Sequence, residues 1–121
     1  MPKLAVDGWF ELHGKFGKLP MSAVLAPAVR YAREGFPVSE IIARSWQEEV
    51  ENLKAYQSYR KTFTIDGRPP VKGEIFKNPY LSNTLERIAR EGRKVFYEGE
   101  IAHIIADYIQ ENGGFLSYDD L

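Results

Sequence analysis

The stretch Ile101-Ala102-His103-Ile104-Ile105-Ala106-Asp107-Tyr108-Ile109 decides the fold. Ile101, Ile104, Ile105, Tyr108 and Ile109 fall at i, i+3, i+4, i+7 and i+8, the spacing of one apolar stripe on an α-helix. A strand alternates with period two and would not place them together. Asn112-Gly113-Gly114 then ends the helix.

Upstream the same period recurs. Leu81, Leu85, Ile88 and Ala89 form the stripe of a preceding helix that opens at Asn78-Pro79 and stops at Gly92. Asparagine serves as N-cap, and proline at the first helical position loses no bond because its missing donor would be unpaired there anyway. Arg93 to Glu98, held between two glycines, reads as a short helix. Ser39 is a good N-cap with Glu40 in the favoured first turn, followed by Ile42, Trp46, Val50 and Leu53 on one side. Lys54 to Phe63 continues as a separate short helix. Val6, Trp9, Phe10, His13 and Phe16 share a face over Ala5 to Phe16, with Gly17 as a left-handed stop. A stretch from Met21 or Ser22 to Glu34 contains Pro27, which removes a backbone donor and clashes with the preceding turn. A break is therefore expected there, with the main helix running from Pro27 onward.

Asp66-Gly67-Arg68-Pro69-Pro70 is the clearest interruption, since Asp-Gly favours a turn and the prolines force extended backbone. The expected fold is all-α, with five or six helices and any strand confined to about Val71 to Lys77. The expected core includes Trp9, Leu25, Ile42, Trp46, Leu85, Ile88, Ile101, Ile105 and Tyr108. A length of 121 residues suits a single helical domain spanning 1–121. Ala32-Arg33-Glu34-Gly35 and Ala89-Arg90-Glu91-Gly92 share a phrase, but the surrounding apolar positions do not match, so they read as shared cap chemistry and not as a repeat.

Composition narrows the partners. Apolar residues at 44% and charged residues at 27% suit a globular chain rather than a disordered one. Sixteen basic side chains against seventeen acidic ones leave a net charge of −1, which gives no field to gather nucleic acid or an anionic membrane. No apolar run approaches the roughly 20 residues of a membrane-spanning helix. The absence of cysteine removes disulfides, thiolate metal sites and cysteine nucleophiles, and it fits any compartment.

Candidate chemistry is sparse. His13 and His103 lie far apart in sequence, and His103 has only Asp107 at i+4, the spacing of a surface contact on a helix. No metal site is expected, because three or four ligands at workable spacing are needed. Ser22, Ser39, Ser45, Ser58, Ser82 and Ser117 lack the Gly-x-Ser-x-Gly context of a strained nucleophile turn. Gly14-Lys15-Phe16-Gly17-Lys18 ends a helix, whereas a phosphate loop opens one. Asp119-Asp120 reads as a first helical turn behind Ser117, and Glu48-Glu49-Glu51 as a solvated face, so neither is offered as a catalytic pair. No catalytic, cofactor-binding or metal-binding residue is assigned. Ser117-Tyr118-Asp119-Asp120-Leu121 is a helix start with no helix after it, which gives the expectation that the chain was cut from something longer.

Several phrases, in order along the chain, resemble one family. They are Ala5-Val6-Asp7-Gly8-Trp9, Phe16-Gly17-Lys18-Leu19-Pro20, Leu25-Ala26-Pro27-Ala28-Val29 and Ala32-Arg33-Glu34-Gly35-Phe36. Lys72-Gly73-Glu74, Asn78-Pro79-x-Leu81, Thr84 to Ala89, Phe96-Tyr97-Glu98-Gly99 and Gly113 to Leu121 follow. Together they are similar to an internal segment of the γ-glutamyltransferase (γ-glutamyltranspeptidase) large subunit. Lys3-Leu4 departs from the proline and glycine usual there, which puts the native status of residues 1–4 in doubt.

The resemblance implies a parent with an αββα sandwich, an N-terminal-nucleophile hydrolase that cuts itself into large and small subunits. Its small subunit then begins with a threonine serving as nucleophile and, through its amine, as base. That parent moves γ-glutamyl groups from glutathione or related amides to water or amino acids, using a carboxylate-binding arginine upstream of this segment. Thr62, Thr64 and Thr84 do not sit in the family's processing motif. The implied role is a non-catalytic helical piece, inactive alone and without a cofactor. Its partners are the remainder of the large subunit and the small subunit, with self-association, as a two-fold dimer, through apolar surface left uncovered. The alternatives are an independent helical protein-interaction module and a small independent enzyme.

Overall fold

The structure is a computed structural model and describes residues 5–121. The departure at Lys3-Leu4 lies outside the described residues. Five helices of twelve to fourteen residues carry the fold: α1 (Ala5–Phe16), α2 (Met21–Glu34), α3 (Glu40–Leu53), α5 (Pro79–Glu91) and α7 (Glu100–Glu111). Two short helices, α4 (Gln57–Phe63) and α6 (Arg93–Tyr97), stand between them. Two two-residue strands, β1 (Phe36–Pro37) and β2 (Ile75–Phe76), and a 3-10 turn at Tyr118–Asp120 complete the chain. The fold is mostly helical, as the periodicity requires. No helix among the described residues is long and apolar enough to cross a membrane.

The described residues form two compact units. One comprises residues 5–26 and 84–121 and the other Pro27–Asn83. In the first, Val6, Ile88, Val95, Tyr97, Ile101, Ala102 and Leu121 form the core, with Phe10, Leu25 and Ile105 packed on it. Ile88 is 1% exposed and Ala102 is fully buried. Gly92, at φ 82°, turns the chain between α5 and α6 in the left-handed region that glycine enters without strain.

In the second unit, β1 and β2 pair antiparallel, with Phe36 opposite Phe76 and Pro37 opposite Ile75. The ladder continues as the Val38 N–H donates to Glu74 O at 2.9 Å and the Gly73 N–H to Val38 O at 2.7 Å. Val38, Ala43 and Phe76 form its core with Trp46 and Ile65 against them, the Trp46 and Phe76 rings meeting edge-on at 4.6 Å. Ser39 caps α3, its Oγ accepting from the Ile42 N–H, and Asn78 caps α5, its Oδ1 accepting from the Leu81 N–H at 3.0 Å. Asp66 (φ 52°) and Gly67 (φ 80°) make a two-residue turn that pairs Ile65 with Arg68, the conformation Asp-Gly favours.

Five expectations are corrected. α2 runs unbroken through Pro27. The donor lost at Pro27 would have bonded the carbonyl one turn earlier, at Ala23, and both residues are exposed, so solvent can satisfy that carbonyl. Gly17 ends α1 without a positive φ; its missing Cβ matters instead, because one would sit 2.6 Å from His13 O. The expected extended run at Val71 to Lys77 narrows to Ile75–Phe76, because Val71 to Glu74 close a turn, with the Glu74 N–H donating to Val71 O. A strand also stands outside that run, at Phe36–Pro37. A strand needs a hydrogen-bonded partner, and a proline is tolerated in a two-stranded ribbon, where each strand has a free edge. Of the expected core, Trp9, Ile42 and Tyr108 are 40%, 49% and 45% exposed, whereas Leu85, Ile88 and Ile101 are buried and Leu25, Trp46 and Ile105 are partly so.

Gly35 follows α2 at φ 93°, and a Cβ there would lie 2.9 Å from Phe76 O and against Ile75. Gly35→Ala therefore meets both a strained backbone and the β2 strand. Its expected cost is about 2 kcal/mol or more, read as a lowered denaturation midpoint with unchanged m value.

Candidate functional site

Each polar group singled out in the sequence has a structural partner. His13 Nε2 donates to Leu19 O at 2.6 Å and ties the connector back to α1. His103 lies flat on the Tyr118 ring at 4.1 Å between centroids and 4° between planes. Tyr118 in turn donates its hydroxyl to Glu98 O at 2.9 Å. Asp120 accepts from both the Ser117 N–H at 2.8 Å and the Ser117 hydroxyl at 2.7 Å, a capping box. Those bonds hold its carboxyl below the usual range. Glu48 pairs with Arg44 at 3.1 Å along α3. Thr64 donates to Arg60 O, and the fully buried Ser82 donates to Val29 O at 3.2 Å. No group of three or more His, Cys, Asp or Glu able to hold a metal occurs among the described residues.

The sequence reading passed over one polar cluster. Asp7, in the first turn of α1, is 3% exposed and its Oδ1 contacts Arg93 Nη1 at the start of α6. Its backbone N–H donates to Tyr97 Oη at 3.0 Å, and Glu11 lies 3.8 Å from the same guanidinium nitrogen. Oδ1 has no hydrogen bond of good geometry, so the guanidinium charge compensates it without N–H alignment. Asp7 and Glu11 are i, i+4 on α1, and Arg93 and Tyr97 are i, i+4 on α6. That matched spacing was the only signal available. The arrangement clamps two helices, since breaking a buried pair leaves an uncompensated charge.

A second carboxylate is shifted by a loop it organises. Glu74 takes both nitrogens of Arg68 at 2.7 and 2.8 Å and accepts from the Val71 N–H at 2.9 Å. The Arg68 hydrogen bond first, and then the Val71 N–H, lower its pKa to about 2. A bidentate pair of this kind fixes a turn, and a shifted carboxylate in a structural ion pair does not by itself mark catalysis.

The first unit also carries a concave apolar surface. Trp9, Leu12 and Phe16 of α1 and Met21, Val24 and Leu25 of α2 line a groove of about 490 Å³ beside His13. Leu12 and Phe16 are 63% and 75% exposed. The groove offers apolar contact and a single imidazole already held by Leu19 O, a surface for packing and not for bond making.

The sequence pattern described as Gamma-glutamyltranspeptidase matches residues 5–121. The chain belongs to that family. It is 38% identical over 115 residues to the glutathione hydrolase-like YwrD proenzyme of Bacillus subtilis, covering 95% of this chain and 22% of that relative. Among solved structures it resembles the gamma-glutamyltranspeptidase of Helicobacter pylori, with a TM-score of 0.90 and 28% identity over 99% of this chain and 38% of that one. It also resembles a cephalosporin acylase from Bacillus halodurans, with a TM-score of 0.87 and 34% identity over 99% of this chain and 25% of that one. The chain thus spans about a fifth of the length of the curated relative. Within the γ-glutamyltranspeptidase fold it accounts for a mostly helical part.

The Glu74 pair sets an acid dependence. Glu74 is ionised more readily in the fold than in the unfolded chain, whose pKa is 4.5. Its stabilisation is therefore complete above pH 4.5 and is lost as pH falls from there through about 2. In thermal melts across this window, Glu74→Gln is expected to lower stability at pH 6 and to flatten the acid decline relative to the parent chain.

Proposed function

We propose that this chain is a non-catalytic helical segment of a γ-glutamyltransferase. The whole protein would transfer γ-glutamyl groups from glutathione or related amides to water or amino acids. The observation that carries the reading is the family match over 5–121, on a chain whose candidate hydroxyls, imidazoles and carboxylates are engaged as caps, stacks and ion pairs. The N-terminal threonine and the carboxylate-binding arginine of such an enzyme would come from the remaining chain, consistent with coverage of only 22% of the Bacillus subtilis relative.

The partners are then the rest of the large subunit and the small subunit. Residues 1–121 serve as one helical domain in this reading, supported by α2 and α5 each contributing residues to both compact units. Without its partners the segment self-associates. The exposed apolar residues of α1 and α2 favour that, and they also give the reading of an interaction module its one support.

The test is hydrolysis of a γ-glutamyl anilide. The purified 121-residue chain is expected to release no anilide product above the background rate. Turnover that survives repurification, and disappears on substituting a residue of this chain, would contradict the proposal.

A further inference from the structure

The face that would carry self-association can be located. Trp9, Leu12 and Phe16 stand at i, i+3 and i+7 on α1, so they form one ridge along the helix. All three are exposed, at 40%, 63% and 75%, and Leu19 and Val24 extend the patch at 63% and 49%. From ordinary side-chain sizes, these five residues leave on the order of 500 Å² of apolar area in water. A stable interface covers about 800 Å² on each partner, of which somewhat over half is apolar. The patch is therefore the size of one side of a standard dimer interface.

The same surface holds both parts of a contact. The groove between α1 and α2 accepts an apolar helix ridge, and the ridge of α1 is one. A patch that carries ridge and groove together is self-complementary, which is what a two-fold interface requires. The charges agree with this. Glu11 and Lys15 lie one turn apart on a single flank of that ridge. When two such helices pack antiparallel about an axis beside residue 13, each flank faces its own counterpart, and Glu11 of one copy meets Lys15 of the other twice over.

We propose that the α1–α2 face docks a second copy of this chain, with the α1 helices antiparallel and Glu11 paired with Lys15 across the axis. This deepens the self-association read under the proposed function and names its surface. Trp9, Leu12 and Phe16 then supply the apolar centre, and the flanking charges set the register.

Sedimentation of the 121-residue chain over a wide concentration range tests it, with far-UV circular dichroism as the check on folding. The parent chain is expected to dimerise. Leu12→Glu, at an exposed position, is expected to give monomer at the same concentrations with unchanged helix content. Lys15→Glu places like charges across the axis and is expected to weaken the dimer about fivefold or more. The double exchange Glu11→Lys with Lys15→Glu is expected to restore it to within about twofold. A monomer at the highest concentration reached would overturn the inference and leave the face to the rest of a longer chain. So would a dimer indifferent to Leu12→Glu, or one that the double exchange fails to restore. These results are independent of the anilide assay, so the docking surface and the non-catalytic reading stand or fall separately.

Discussion

A carboxylate that is 3% exposed in the first turn of α1 constrains the first unit more than any other group. Asp7 needs a charge beside it, and Arg93 provides that charge only if α6 begins against α1. The start of α6 is in turn set by Gly92, whose φ of 82° lets α5 end one residue before Arg93. Tyr97, one turn later on α6, is 4% exposed and takes the Asp7 N–H. The buried residues around this clamp, Val6, Val95, Ile101 and Ala102, fill the space that the ion pair has fixed. Arg93 remains 39% exposed, so the clamp closes one end of the pair and leaves the other near solvent.

The parts of the fold governed by local chemistry were legible from the sequence. The α7 stripe, the Ser39 and Asn78 caps, the Asp66-Gly67 turn and the Ser117–Asp120 box each follow from residues within one or two turns of each other. What was not legible depends on residues distant in sequence. Periodicity finds a stripe on α1 but does not say that Val6 and Phe10 turn inward while Trp9 and Phe16 stay in water. Phe36–Pro37 becomes a strand only because Ile75–Phe76, some forty residues later, offers it hydrogen bonds. The Asp7–Arg93 pair is separated by most of the chain, and only matched helical spacings hinted at it.

The chemistry follows the same division. Every polar residue that the sequence put forward was explicable by a local structural role, and the structure supplies a partner for each that was traced. Membership of the γ-glutamyltranspeptidase family therefore came from the order of whole phrases, which a packing element retains even where it holds no reacting group. Trp9, Leu12 and Phe16 belong to this picture as well. Apolar residues that line a groove yet remain in water are ready for a contact that neither compact unit supplies by itself.

The account treats these residues as a helical fold held by its own caps, core and buried ion pair. Amide hydrogen exchange on the 121-residue chain tests that claim directly. The account predicts strong protection of the α5 and α7 amides around Ile88, Ala102 and Ala106, with α1 protected near Val6 and Asp7, all lost together in Asp7→Ala. Uniformly fast exchange at those amides in the parent chain, or protection of α1 untouched by Asp7→Ala, would contradict it.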